Sequence, residues 1–133
     1  MFRRVVGNKK GQALVELALI LPILLLLVFG VVEYGRIFAA YLTVTNGSRE
    51  GARIATVGGT DTDIVTAVKF RTDAMNLDDT KVVITITPNS ASRTRGNSVT
   101  VEVTYPVTMY DPFFTAIVGA SYTVKGKTIM RVE

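Results

Sequence analysis

Between Gln12 and Val32 the chain carries a single ionisable side chain, Glu16, in a run otherwise made almost wholly of Ala, Leu, Ile, Val and Phe. Ala13–Val32 is about twenty residues, enough to cross roughly 30 Å of hydrocarbon as a helix. A secretory signal has an apolar stretch of only about 7–15 residues followed by a small-residue cleavage site. This run is longer, and "GVVEYGRIF" continues it without such a site. Arg3, Arg4, Lys9 and Lys10 precede it, which places the N-terminus in the cytoplasm by the positive-inside bias. Tyr34, Phe38 and Tyr41 recur at helical spacing where the far headgroup layer falls. The expectation is one span, residues 12–33, with residues 34–133 outside the cytoplasmic membrane.

Glu16 sits awkwardly in such a span, since a carboxylate near the bilayer centre costs roughly 2.5–3.5 kcal/mol or more. Taken alone, it is equally well a carboxylate close to the inner interface, protonated or reaching toward headgroups. Charge elsewhere narrows the function classes. The formal net charge of +4 equals the four basic residues of the first ten, so the rest of the chain is neutral. The surplus is a short leader, not a basic patch on a folded domain, and gives no ground for a nucleic-acid partner. The chain has no cysteine and no histidine. That removes disulfides, thiolate metal sites, the usual general base and the commonest metal ligand. With no nucleophile–base pair, no glycine-rich phosphate loop and no convergent carboxylates, the reading is non-enzymatic, without cofactor or metal.

Beyond the span the helix is expected to continue. Glu33–Val57 contains no proline, and apolar residues recur at Ile37, Tyr41, Val44, Ala52 and Ala55. Unbroken, Gln12–Val57 would measure close to 70 Å at about 1.5 Å per residue. "NGS" at Asn46–Ser48 is its weak point, and Pro22 predicts a kink or local unwinding. Glu33 and Arg36 are spaced to pair on the surface. Gly47, Gly51 and Ala55 form a small-residue stripe, read as the face that lies on the chain's own sheet, with an intersubunit contact as the alternative. "GGTDTD" ends the helix, leaving Asp61 or Thr62 to cap the next. Capping is preferred to calcium there, because a calcium loop needs several more oxygens at fixed spacing.

Asp63–Leu77 reads as a short amphipathic helix with Ile64, Ala67, Val68, Ala74 and Met75 on one side. Strand patterns follow, with Val82, Ile84 and Ile86 on one face, then Val99, Val101, Val103 and Tyr105, then Val124, Met130 and Val132. "RTRG" at Arg93–Gly96 is expected to be a solvated hairpin tip. "YPVTMYDPFFTAIVG" reads as irregular with one helical turn after Pro112, its "PFF" either covering the core or forming a contact patch. A long helix, a small helix and a meander of strands make the fold α+β, with the long helix packed on a small antiparallel sheet.

A basic leader ending in glycine, a glutamate five residues later, an apolar helix and a small sheet domain form the plan of type IV pilin-like proteins. "GQALVELALILPILLLLVFGVVEYGRIF" followed by "SREGARIA" resembles, more closely, the TadE-like family of pilin-like minor components of tight-adherence (Tad) pilus machines. The resemblance extends through "VTVEVTYPV" and "KTIMRVE", and the N-terminal block carries most of its specificity.

It implies that a prepilin peptidase cuts after Gly11, removing the leader 1–11 and leaving Gln12 as the first residue and Glu16 as the fifth. It also implies that Glu16 faces the new terminal amine of a neighbouring subunit. The implied partners are the peptidase, other pilin-like subunits, inner-membrane pilus assembly proteins and the membrane. Two positions differ from relatives: type IV pilins usually begin with phenylalanine, where Gln12 stands, and major Tad pilins follow the glutamate with tyrosine, where Leu17 stands. Two function classes stay open: a pilin-like structural or assembly component, and a permanently anchored adaptor that is neither cut nor polymerised.

Overall fold

A computed structural model describes residues 9–133; the leader residues Arg3 and Arg4 lie outside the described residues. One helix, α1 (Lys9–Thr56), dominates the chain. At about 1.5 Å per residue its 48 residues span about 72 Å. It runs unbroken through both Pro22 and Asn46–Ser48, so neither predicted weak point interrupts it. Two environments divide it. Within its most apolar window no residue is buried, and the first buried residue is Glu33. From there a stripe of small side chains turns inward: Ala40, Thr43, Val44, Gly47, Ser48, Gly51, Ala52 and Ala55.

The helix stops as the glycine pair predicts. Gly58 takes the left-handed conformation (φ 85°), and the Gly59 N–H reaches back to the Ile54 carbonyl at 3.0 Å. This satisfies a carbonyl that would otherwise be left open at the helix end. The second helix, α2 (Asp61–Asp73), begins immediately, and its cap is Thr60 rather than Asp61 or Thr62. The Thr60 hydroxyl accepts from the Asp63 N–H while the Asp63 carboxylate accepts from the Thr60 N–H, a reciprocal capping box. The Thr60 hydroxyl and N–H together hold the Asp63 carboxyl below its ordinary pKa. Ile64, Val68 and Thr72 form the buried face of α2; Ala74 and Met75, expected there, are exposed beyond its end.

Three antiparallel strands complete the head in the order β1 (Val83–Thr87), β2 (Ser98–Thr108) and β3 (Ser121–Arg131). Val99, Val101, Val103 and Val107 of β2 and Val124 of β3 point into the core, with Val82, Ile84 and Ile86 packed against it. The opposite face is solvated and rich in threonine and lysine, as a sheet covered on one side requires. β2 outruns β1, whose pairing ends at Val83↔Thr104. Pro106 therefore lies where only β3 pairs with β2, and its missing N–H costs no ladder bond on the open side. "YPVT" is thus strand, not loop. After it comes α3 (Pro112–Val118), a seven-residue helix capped by Asp111, where only one turn was expected. The arrangement is α+β, a long apolar helix carrying a small antiparallel sheet.

The contact between α1 and the sheet is unusually close at one point. A Cβ on Gly126 of β3 would lie 2.5 Å from the Val44 carbonyl oxygen and 2.6 Å from the Thr45 nitrogen, both backbone atoms of α1. Glycine is required there by proximity, not by φ. Further along the same contact, the hydroxyls of buried Ser48 and half-buried Thr128 are hydrogen-bonded at 2.8 Å. The small-residue stripe meets a different neighbour from the one expected. A Cβ on Gly51 would sit 2.9 Å from Val68 and 3.0 Å from Ile64, both in α2, and 3.2 Å from Val101 of β2; one on Gly47 would meet Val68 at 3.3 Å. The stripe is interior, but α2 lies over it first and the sheet second.

The "RTRG" segment also departs from expectation. The Arg93 side chain is only 5% exposed, donates to the Gly59 carbonyl at 2.7 Å and pairs with Asp61, straight across to the α1–α2 corner. Asp61 also accepts from the Ser90 N–H at 3.0 Å. The β1–β2 connection is therefore strapped to the helices, and burial pushes the Arg93 guanidinium below its ordinary pKa.

Candidate functional site

Two places on α1 bear on function: its first turns and the point where it leaves its apolar half. In the first turns the helix is already formed at Lys9, so Gly11, Gln12 and Glu16 lie on regular helix. Gln12 and Glu16 are four apart and share a face, separated by about 6 Å along the axis. Glu16 is exposed, and among the described residues it has no hydrogen-bond or ion-pair partner. Around it Leu14, Val15, Leu17, Leu19 and Ile20 are all exposed. Helix length explains this arrangement. Among the described residues the head meets α1 no lower than Gly30, where Phe114 lies, so none of them covers the turns around Glu16.

At the junction the expected surface pair of Glu33 and Arg36 does form, but it is not on the surface. Glu33 is 5% exposed and accepts from Arg36 Nη1 at 2.6 Å and from the Tyr110 N–H at 3.0 Å. Arg36 also donates to the Thr108 carbonyl at 3.1 Å, and its guanidinium lies 4.3 Å from the centre of the Tyr110 ring. The pair thus clamps the end of β2 onto the helix at the edge of the apolar half. A charge-assisted bond to a backbone N–H leaves little rotational freedom, so the clamp fixes the head's height on α1. Sequence reasoning found the pair and missed the clamp, because the third partner is a backbone group 77 residues away.

Exposed aromatics ring the same level. Tyr34 and Phe38 stack with ring centres 6.2 Å apart, and with Tyr41 and Tyr122 they line a shallow groove between α1 and β3. Aromatic side chains of this kind are enriched at membrane–water interfaces.

Residues 11–53 match the sequence model of TadE-like proteins. No curated protein and no solved structure matches the chain. The match begins at Gly11 and covers the apolar half of α1, the junction pair and most of the small-residue stripe; the sheet lies outside it. Among the described residues one helix is long and apolar enough to cross a membrane, which fits a single-pass membrane protein. Over residues 11–53, about a third of the chain, the sequence is similar to TadE-like proteins.

Proposed function

We propose that the protein is a pilin-like (pseudopilin) component of a Tad-type pilus or related secretion machine, made as a precursor and cut between Gly11 and Gln12. It acts structurally, not as an enzyme, and is a substrate of the prepilin peptidase. Its N-terminus faces the cytoplasm and its head the outside of the inner membrane.

The observation that carries this reading is Glu16, without a partner among the described residues, on the exposed apolar half of α1 and one turn from Gln12. Cleavage creates an ammonium at Gln12 in a low-dielectric setting, where a lone charge of either sign is costly. Glu16 of an adjacent subunit, presented on an open helical face, compensates that charge. The same contact would bring the apolar half of α1 against another copy, which gives assembly both its driving packing and its register. Until then lipid covers the helix.

The test is the mass of the protein made beside its own peptidase. A chain beginning at Gln12 is expected, with precursor accumulating in Gly11→Ala. A chain that keeps Met1 would favour the permanently anchored adaptor instead. Glu16→Ala should leave cleavage largely intact and impair assembly, and Glu16→Lys should be worse because it places two cations together. Normal assembly of both variants would remove Glu16 from the mechanism.

A further inference from the structure

The short helix α3 has no buried residue, and Phe113, Ile117 and Val118 are 49%, 67% and 46% exposed. From Pro112 to Val124 the chain has no charged side chain. A solvated helix of that composition would be out of place on the polar side of a small head. Its position supplies the explanation. Phe114 lies against α1 at Gly30, where an added Cβ would come within 3.1 Å of the phenylalanine ring. Gly30 is inside the apolar run, three residues before the first buried residue of the helix. The clamp of Glu33 and Arg36 on Tyr110 and Thr108 holds the segment that leads into α3, so its height on α1 is fixed.

We propose that α3 is a second membrane contact, an interfacial foot that docks the head onto the outer leaflet of the bilayer. Two observations select lipid as its occupant. The apolar surface of α3 is continuous with the apolar half of α1 through the Phe114–Gly30 contact, so whatever surrounds α1 at that depth also surrounds α3. Its depth is also right: Gly30 lies about 3 Å below Val32 along the axis, and interfacial helices bury their apolar face about 5–10 Å into the headgroup–acyl boundary. Asp111 caps α3 by accepting from the Phe113 and Phe114 N–H groups. Backbone donors that would be costly to leave open at that boundary are thereby satisfied. The foot restricts the tilt of the head on its stalk and does not depend on whether the chain is cut or polymerised.

The chain contains no tryptophan, so a single substitution supplies a clean depth reporter. The full chain carrying Phe113→Trp or Ile117→Trp is reconstituted at low density in phosphatidylcholine vesicles. Lipids brominated near the headgroup end of their acyl chains then serve as quenchers. Phe70→Trp is the reference: Phe70 is exposed on α2, which meets α1 at Gly47, about 26 Å beyond Gly30. Severalfold stronger bromolipid quenching at both foot positions than at position 70 is expected, with blue-shifted emission. Aqueous quenchers reaching positions 113 and 117 as readily as position 70 would overturn the proposal. Blue-shifted emission that bromolipid does not quench, and that grows with protein density, would overturn it in favour of a second copy as occupant. The two foot positions are independent, so a folding failure in one variant leaves the other to decide.

Discussion

The two halves of α1 follow opposite rules of side-chain size. Before Glu33 the helix shows leucine, isoleucine, valine and phenylalanine to its surroundings; after it, the buried positions are mostly alanine, glycine, serine and threonine. A core helix in water buries its largest apolar residues, and here they are outside. The difference lies in what each half must meet. In the proposed membrane setting lipid is as apolar as leucine, so the first half needs bulk and length but no partner of defined shape. The second half must let a strand and a helix approach its backbone, and only small side chains permit that. The Glu33–Arg36 clamp stands where one rule gives way to the other.

The sharpest way to break this comparison is at the closest approach. Gly126→Ala places a methyl group against Val44 and Thr45 backbone atoms that cannot rotate away. A loss at or above the top of the roughly 1–3 kcal/mol range for overpacking is expected, read by denaturation of the head. The same change at Gly35 of α1, where nothing lies within 4 Å, should be neutral or stabilise by up to about 1 kcal/mol through helix propensity. Equal effects at the two glycines would mean that the α1–β3 contact is looser than described.

Next in size is Gly51→Leu, expected to cost about 1–3 kcal/mol because Val68, Ile64 and Val101 leave no room for a side chain. Unchanged thermal stability combined with lost assembly would move this face from the interior to a contact between subunits. Smaller again is Glu33→Gln. The amide can still accept from Tyr110 but loses the ionic bond to Arg36, whose side chain is about one-third exposed. A loss of about 1 kcal/mol is expected, with faster hydrogen exchange at the Tyr110 amide. Unaltered exchange there would show that the clamp does not hold the loop.

The legible parts of the molecule were those written in a local period. The apolar run announces a membrane-length helix by length alone, and the alternation of Val99, Val101 and Val103 announces one covered face of a strand. Positions whose meaning depends on a distant backbone were not legible. Gly126 looks like any strand glycine until Val44 is placed against it, and Arg93 reads as a solvated tip until it is seen on Gly59 and Asp61. The position of α3 beside α1 is marked by Gly30 and the clamp, neither of which singles out "PFF" in the sequence. Gly11 and Glu16 are a different case. They were assigned roles through a family resemblance, because the groups they would meet belong to other molecules.

On the proposed function, the turns of α1 before Gly30 find their partners outside the chain and the second half finds them inside it. The chain has no cysteine, so single cysteines report without background. Leu17→Cys, Leu19→Cys and Leu24→Cys in the exposed half, and Ala52→Cys in the buried half, would be oxidised in cells that carry the proposed pilus system. Disulfide-linked dimers are predicted from the exposed half and none from Ala52→Cys. Dimers through Ala52→Cys, or none from any exposed position, would contradict the account.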